Sequence, residues 1–288
     1  MSRSRATVIG FSAVLMWALL AVLTIGTDPV PPLQLNAMCF AIGGVIGLIW
    51  TARGAGFVAL RGVNWKVYAF GSAGLFGAHL LYFTAFRLAP RAETGLIAYL
   101  WPILIVLLSG LLPGERVARQ HLLGGLLAFC GAALVVLRGG ANLEGAALPG
   151  YGVALAFALV WATYSVLSRR LGSVPTEAVT VYCLAAAILS LAAHLAFEVT
   201  QWPIGTVGWT SVLLLGLGPV GLAFFLWDIG MKRGDIQVLG VASYAAPLLS
   251  TLALILTGRA AASALLVVAA LMIAGGAVLA ARASVKTN

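Results

Sequence analysis

In GLFGAHLLYFTAFRL, residues 74–88, four side chains invite a chemical reading: His79, Tyr82, Phe83 and Phe86. Their spacing of i, i+3, i+4 and i+7 puts them on one face of a helix. A histidine within an apolar run is costly in lipid unless it faces a bundle interior or water. Beside aromatic rings, such a face can hold an aromatic molecule by stacking and edge contacts, with a few polar tips to orient it. A structural histidine bonded to a neighbouring helix is the competing reading.

Similar constellations recur. AYLWPILIVL places Tyr99, Trp101 and Pro102 inside an apolar run, and SYAAPLLSTL places Ser243, Tyr244 and Pro247 in another. Proline removes a backbone donor where no water can replace it, so each run is expected to break. Trp17, Ala21 and Thr24 share a helical face, as do Trp161, Tyr164, Ser165 and Ser168. GLGPVG, with Pro219, marks a third kink. The expected binding residues are therefore Trp17, His79, Tyr82, Phe83, Tyr99, Trp101, Trp161, Tyr164, Ser243 and Tyr244, with Pro102, Pro219 and Pro247 as hinges.

Covalent chemistry has little to work with. His79, His121 and His194 stand far apart and read as having no ligand-like partner one helical turn on. An intramembrane enzyme would need a nucleophile with its base, or a metal set such as His-Glu-x-x-His. No cofactor and no metal site is expected. Ion-channel filters call for charged rings or carbonyl loops, and no such run is present.

Composition sets the solvent. Of 288 residues, 62% are hydrophobic and 9% charged, against about 25% charged in soluble domains. There is too little polar surface to coat a soluble particle, so the chain reads as an all-α integral membrane protein. The net charge of +9 is scattered singly and in pairs, which argues against a nucleic-acid partner and for membrane topology signals. Cys39, Cys130 and Cys183 lie in apolar stretches and read as reduced, buried packing residues.

Windows of about 20 apolar residues suit a membrane-spanning helix. They fall near 6–26, 33–52, 67–87, 92–112, 121–138, 150–169, 177–198, 208–230, 236–257 and 262–282. With both termini cytoplasmic, thirteen Lys and Arg residues lie inside and four (Arg87, Arg91, Arg138 and Arg259) outside. The positive-inside rule favours that orientation. Six of the eight acidic residues, Asp28, Glu115, Glu144, Glu177, Glu198 and Asp235, fall in or beside loops. Glu93 opens the fourth helix, and Asp228 is spaced to pair with Lys232.

Sliding the chain against itself by 145 residues aligns Tyr99 with Tyr244, Pro102 with Pro247 and Gly131 with Gly276. A slide of 144 aligns WALLAVL (Trp17 to Leu23) with WATYSVL (Trp161 to Leu167). The expectation is two five-helix repeats, 1–143 and 144–288, the second inverted because five is odd. Inverted repeats mark secondary transporters, whose sites lie near the midplane where helices are interrupted. Gly43, Gly44, Gly47, Gly124, Gly125, Gly131, Gly275 and Gly276 read as helix-packing positions. The fifth and tenth helices read as scaffold or dimer contact, in a monomer or weak homodimer.

The paired tryptophans, the prolines of helices 4 and 9 and the five-plus-five pattern together resemble the drug/metabolite transporter superfamily. Within it, the EamA-like ten-helix exporters are most similar, and His79, Tyr82, Tyr99 and Trp101 point to their aromatic amino-acid branch. Both tryptophans are followed by alanine where many relatives have glycine. The resemblance implies a bacterial inner-membrane exporter of aromatic amino acids working by alternating access. Facilitated efflux is expected because no carboxylate stands plainly at mid-membrane. Proton-coupled efflux of other amino acids or aromatic drugs, with His79 as carrier, is the alternative.

Overall fold

The computed structural model describes residues 1–137, 145–258 and 261–287. The expected repeat boundary, Arg138, Glu144 and Arg259 lie outside the described residues, as does the Lys286 side chain. Among the described residues, ten helices are long and apolar enough to cross a membrane. Numbered in chain order, helices 1 to 5 are Arg3–Ile25, Pro32–Arg53, Trp65–Leu88, Arg91–Ser109 and Arg119–Val136. Helices 6 to 10 are Gly145–Arg170, Ala178–Phe197, Gly205–Arg233, Ile236–Leu256 and Ala264–Ala283. Among the described residues there is no β-strand.

Each helix of the first half packs against one from the second: 1 on 8, 2 on 7, 3 on 6, 4 on 9 and 5 on 10. In lipid, helices associate through close packing rather than a hydrophobic drive, so small residues gather at contacts. Helices 5 and 10 show this most plainly. A Cβ added at Gly276 would come 2.4 Å from the Gly124 carbonyl oxygen, and one at Gly131 2.9 Å from that of Ala269. These glycines serve a contact within the chain, which removes them as evidence for a dimer face. Gly276→Leu is expected to force the two backbones apart, costing about 3 kcal/mol or more. The check is a lower melting temperature of the purified protein by fluorescence-detected size exclusion.

Four helices are interrupted. Helix 4 is Arg91–Ala98 and then Trp101–Ser109; helix 9 is Ile236–Ala242 and then Ala245–Leu256. The breaks precede Pro102 and Pro247 because a proline ring clashes with the carbonyl four residues earlier. Helix 8 passes through a π turn, Gly218–Leu222, that contains Pro219. Helix 1 also breaks, between Trp17 and Leu20, with no proline to announce it. Of the cysteines, Cys39 and Cys183 are buried, but Cys130 is exposed on the outer face of helix 5. Thiols tolerate a lipid-facing position, so the expectation of burial fails there.

Candidate functional site: an aromatic cavity at the helix breaks

The interrupted helices meet around a cavity of about 400 Å³, within the range of roughly 300–1,000 Å³ usual for small-molecule sites. Trp17, His79, Tyr82, Phe83, Tyr99, Trp101 and Trp161 all line it. They are joined by residues that sequence reasoning missed, among them Asn36 and Cys39 of helix 2, Phe157 of helix 6 and Phe224 of helix 8. Among the described residues, no Asp, Glu, Lys or Arg lines it.

Three indoles that line the cavity, Trp17, Trp101 and Trp161, form a cluster with the buried Trp227 behind them. Trp17, Trp101, Trp161 and Trp227 contact one another in all six pairs, at centroid separations of 5.0–6.4 Å. Two are fixed by hydrogen bonds. Trp17 Nε1 donates to the Pro219 carbonyl (3.0 Å), which ties the break in helix 1 to the π turn of helix 8. Trp227 Nε1 donates to Ser165 Oγ (3.0 Å). A signal for Trp227 and Phe224 existed in the sequence: a slide of 145 lays them over Tyr82 and His79.

His79 lines the cavity and is not bonded to a neighbouring helix among the described residues. Its Nδ1 donates to the Leu75 carbonyl at 2.8 Å, a bond within its own helix. The ring stands edge-on to Phe40 at 4.9 Å and to Phe224 at 5.6 Å. With Nδ1 holding the proton, Nε2 is the acceptor left at the cavity.

Three expected residues stand outside the lining. Tyr164 is 4% exposed and stacks behind Trp161 at 5.4 Å, in a groove over Gly74. Ser243 is fully buried, its hydroxyl donating to the Leu239 carbonyl at 2.7 Å. Tyr244 is also fully buried, packed on Phe129. Its hydroxyl accepts the Ile103 N–H at 3.2 Å, replacing a backbone acceptor where Pro102 interrupts helix 4. Tyr99 and Tyr244 match in sequence but differ in duty: one faces the cavity and the other repairs a break. Tyr244→Phe is expected to orphan that amide and destabilise the protein by about 1–3 kcal/mol, read as a lower melting temperature with substrate binding retained.

The lining residues lie around the midpoint of their helices or in the half away from the chain termini. The terminal end carries an ionic cluster. Glu115, in the helix 4–5 loop, pairs with Arg3 of helix 1 (3.5 Å) and with Arg169 of helix 6. Asp235 pairs with Arg3 at 3.3 Å and caps helix 9. Gln237 Nε2 donates to both Ser109 Oγ and Glu115 (3.1 Å each). The expected Asp228–Lys232 pair is present at 2.9 Å, with Thr176 donating to the same carboxylate.

The distal end has its own node, and it corrects the sequence reading of His194. That histidine does have a partner one turn on: its Nδ1 lies 3.1 Å from Glu198. The Glu198 carboxylate also accepts the Leu33 and Gln34 amides at the start of helix 2 and pairs with Arg87. Burial alone raises its pKa, but the hydrogen bonds from His194, Leu33, Arg87 and Gln34 outweigh that and hold it below the ordinary value of 4.5. A depressed carboxylate pKa contributes stability that is complete above the unfolded value and lost as pH falls through the folded one. Melting temperature is therefore expected to drop below about pH 4.5, with a shallower drop in Glu198→Gln.

Ten apolar helices around an uncharged, aromatic-lined cavity at the level of four helix breaks define a membrane transporter of small molecules. The chain belongs to the EamA-like transporter family, which matches twice, over residues 4–137 and 148–282. It is 51% identical to the aromatic amino acid exporter YddG of Ancylobacter novellus, across 97% of this chain and 98% of that one. The exporters of the same name from Salmonella typhimurium and Escherichia coli are 27% and 26% identical, over 87% and 89% of this chain and 88% and 90% of theirs. A crystal structure 50% identical superposes with a TM-score of 0.92, covering 97% of this chain and 98% of that one.

Proposed function

We propose that this protein exports aromatic amino acids by alternating access, as facilitated efflux across the bacterial inner membrane with both termini cytoplasmic. The observation that carries this reading is the cavity: its walls are aromatic, three indoles line it with a fourth packed behind them, and its described lining residues carry no formal charge. An aromatic ring is met by edge and stacked contacts, while a cationic drug would call for a carboxylate that the lining lacks. The names of the three relatives point the same way.

The mechanism rests on two features. Helix pairing exchanges the halves symmetrically: adding five to one member of a pair and subtracting five from the other gives another pair of the same set. That supports units 1–143 and 144–288 as inverted repeats, the arrangement in which one bundle rocks against the other around a fixed site. The ionic cluster then holds the cytoplasmic end shut while the cavity faces outward.

Purified protein in liposomes loaded with labelled tryptophan, phenylalanine or tyrosine tests the proposal. Protein-dependent flux is expected with and without an imposed pH gradient. Flux that requires the gradient would replace facilitated efflux with proton coupling through His79. No flux of tryptophan, phenylalanine or tyrosine would overturn the substrate assignment.

A further inference from the structure

An amino acid brings a charged ammonium into a cavity without a carboxylate, so some neutral acceptor must meet it. Asn36 is a polar side chain in the middle of PLQLNAMCF, 3% exposed, and one of the residues lining the cavity. Its Nδ2 is committed, donating to Ser190 Oγ of helix 7 at 2.7 Å. Its Oδ1 has no protein partner among the described residues, yet it is not among the sealed, unsatisfied polar atoms. One N–H of the amide is thus spent on Ser190, and the carbonyl oxygen is left as an acceptor for the cavity.

His79 is arranged by the same logic. Its Nδ1–H is spent on the Leu75 carbonyl, so Nε2 presents a lone pair. Both residues line the same cavity, and Phe40, one turn along helix 2 from Asn36, stands 4.9 Å from the His79 ring. Both acceptors lie on the wall made by helices 2 and 3. By contrast, the Trp101 and Trp161 indole N–H groups in the cluster have no acceptor among the described residues, so that side offers donors.

From this polarity we infer that Asn36 Oδ1 and His79 Nε2 form a subsite for the substrate's primary ammonium group, with Ser190 as the positioning residue that fixes the Asn36 amide. The inference rests on the aromatic amino-acid reading above and adds the orientation of the bound molecule. Two acceptors on one wall attract a three-proton cation and suit a substrate carboxylate less well.

The test is competition against labelled L-tryptophan on the full chain in nanodiscs, using three ligands: L-phenylalanine, phenethylamine (no carboxylate) and 3-phenylpropionate (no ammonium). Asn36→Leu is expected to weaken L-phenylalanine and phenethylamine by about tenfold or more, the worth of a hydrogen bond to a charged group. Binding of 3-phenylpropionate should stay unchanged. The isosteric Asn36→Asp keeps the test open if the leucine variant misfolds, and it should tighten the two ammonium ligands. Ser190→Ala should show the asparagine-to-leucine pattern in weaker form. Equal losses for all three ligands, or none, would overturn the subsite. Failure of the unaltered protein to bind any of the three would instead overturn the aromatic amino-acid reading, and the subsite with it.

Discussion

Trp101→Ala is expected to abolish most transport while leaving membrane insertion intact. Trp101 is 7% exposed and contacts Trp17, Trp161 and Trp227 from the lip of the break in helix 4. Removing the indole takes away a face or edge for the substrate ring and opens the packing of the other three. Truncating a central aromatic anchor costs about 2–4 kcal/mol of binding, or roughly thirtyfold or more in affinity. The measurement is tryptophan flux per folded protein in liposomes, with Trp101→Phe alongside. Phenylalanine keeps a ring without the N–H, so it should recover part of the flux. Unchanged flux in the alanine variant at equal reconstitution would remove Trp101 from the pathway.

Glu115→Ala is expected to loosen the closed terminal end. Glu115 is the hub on which Arg3, Arg169 and Gln237 converge, and its side chain is only 10% exposed. Removing Glu115 takes the carboxylate from Arg169 and leaves Arg3 with Asp235 alone. With Arg3 partly exposed the loss is put at about 2 kcal/mol, below that of a fully buried pair. That is roughly a thirtyfold shift between the closed and open states. Ser109, fully buried under the cluster, supplies the reporter. In a Cys39→Ala, Cys130→Ala background, Ser109→Cys should resist a water-soluble maleimide added from the cytoplasmic side, and should react once Glu115→Ala is introduced. Protection in both would show that the cluster is not what keeps that end shut.

How legible the site was depends on which force placed each residue. His79, Tyr82 and Phe83 were readable because a helix presents residues three and four apart on one face, and a mid-membrane histidine is too costly to waste. Trp17 and Trp161 were readable from their match between halves. Asn36 was not, because a lone polar residue in an apolar helix has no period, and its meaning depends on Ser190 in helix 7. Tyr244 misled for a related reason. Its alignment with Tyr99 is a fact of sequence, but its hydroxyl meets the Ile103 amide, which Pro102 left without its usual acceptor.

The number, length and alternation of the helices were written in the chain, because lipid enforces a simple rule: about 20 apolar residues per crossing, with every backbone group bonded internally. The prolines of helices 4, 8 and 9 announced breaks by the same rule. The break in helix 1, the clustering of four tryptophans and the ionic hub at Glu115 could come only from the tertiary structure. Each joins residues distant in sequence, such as Trp17 with Pro219 and Glu115 with Arg3, and no local propensity encodes such a pairing.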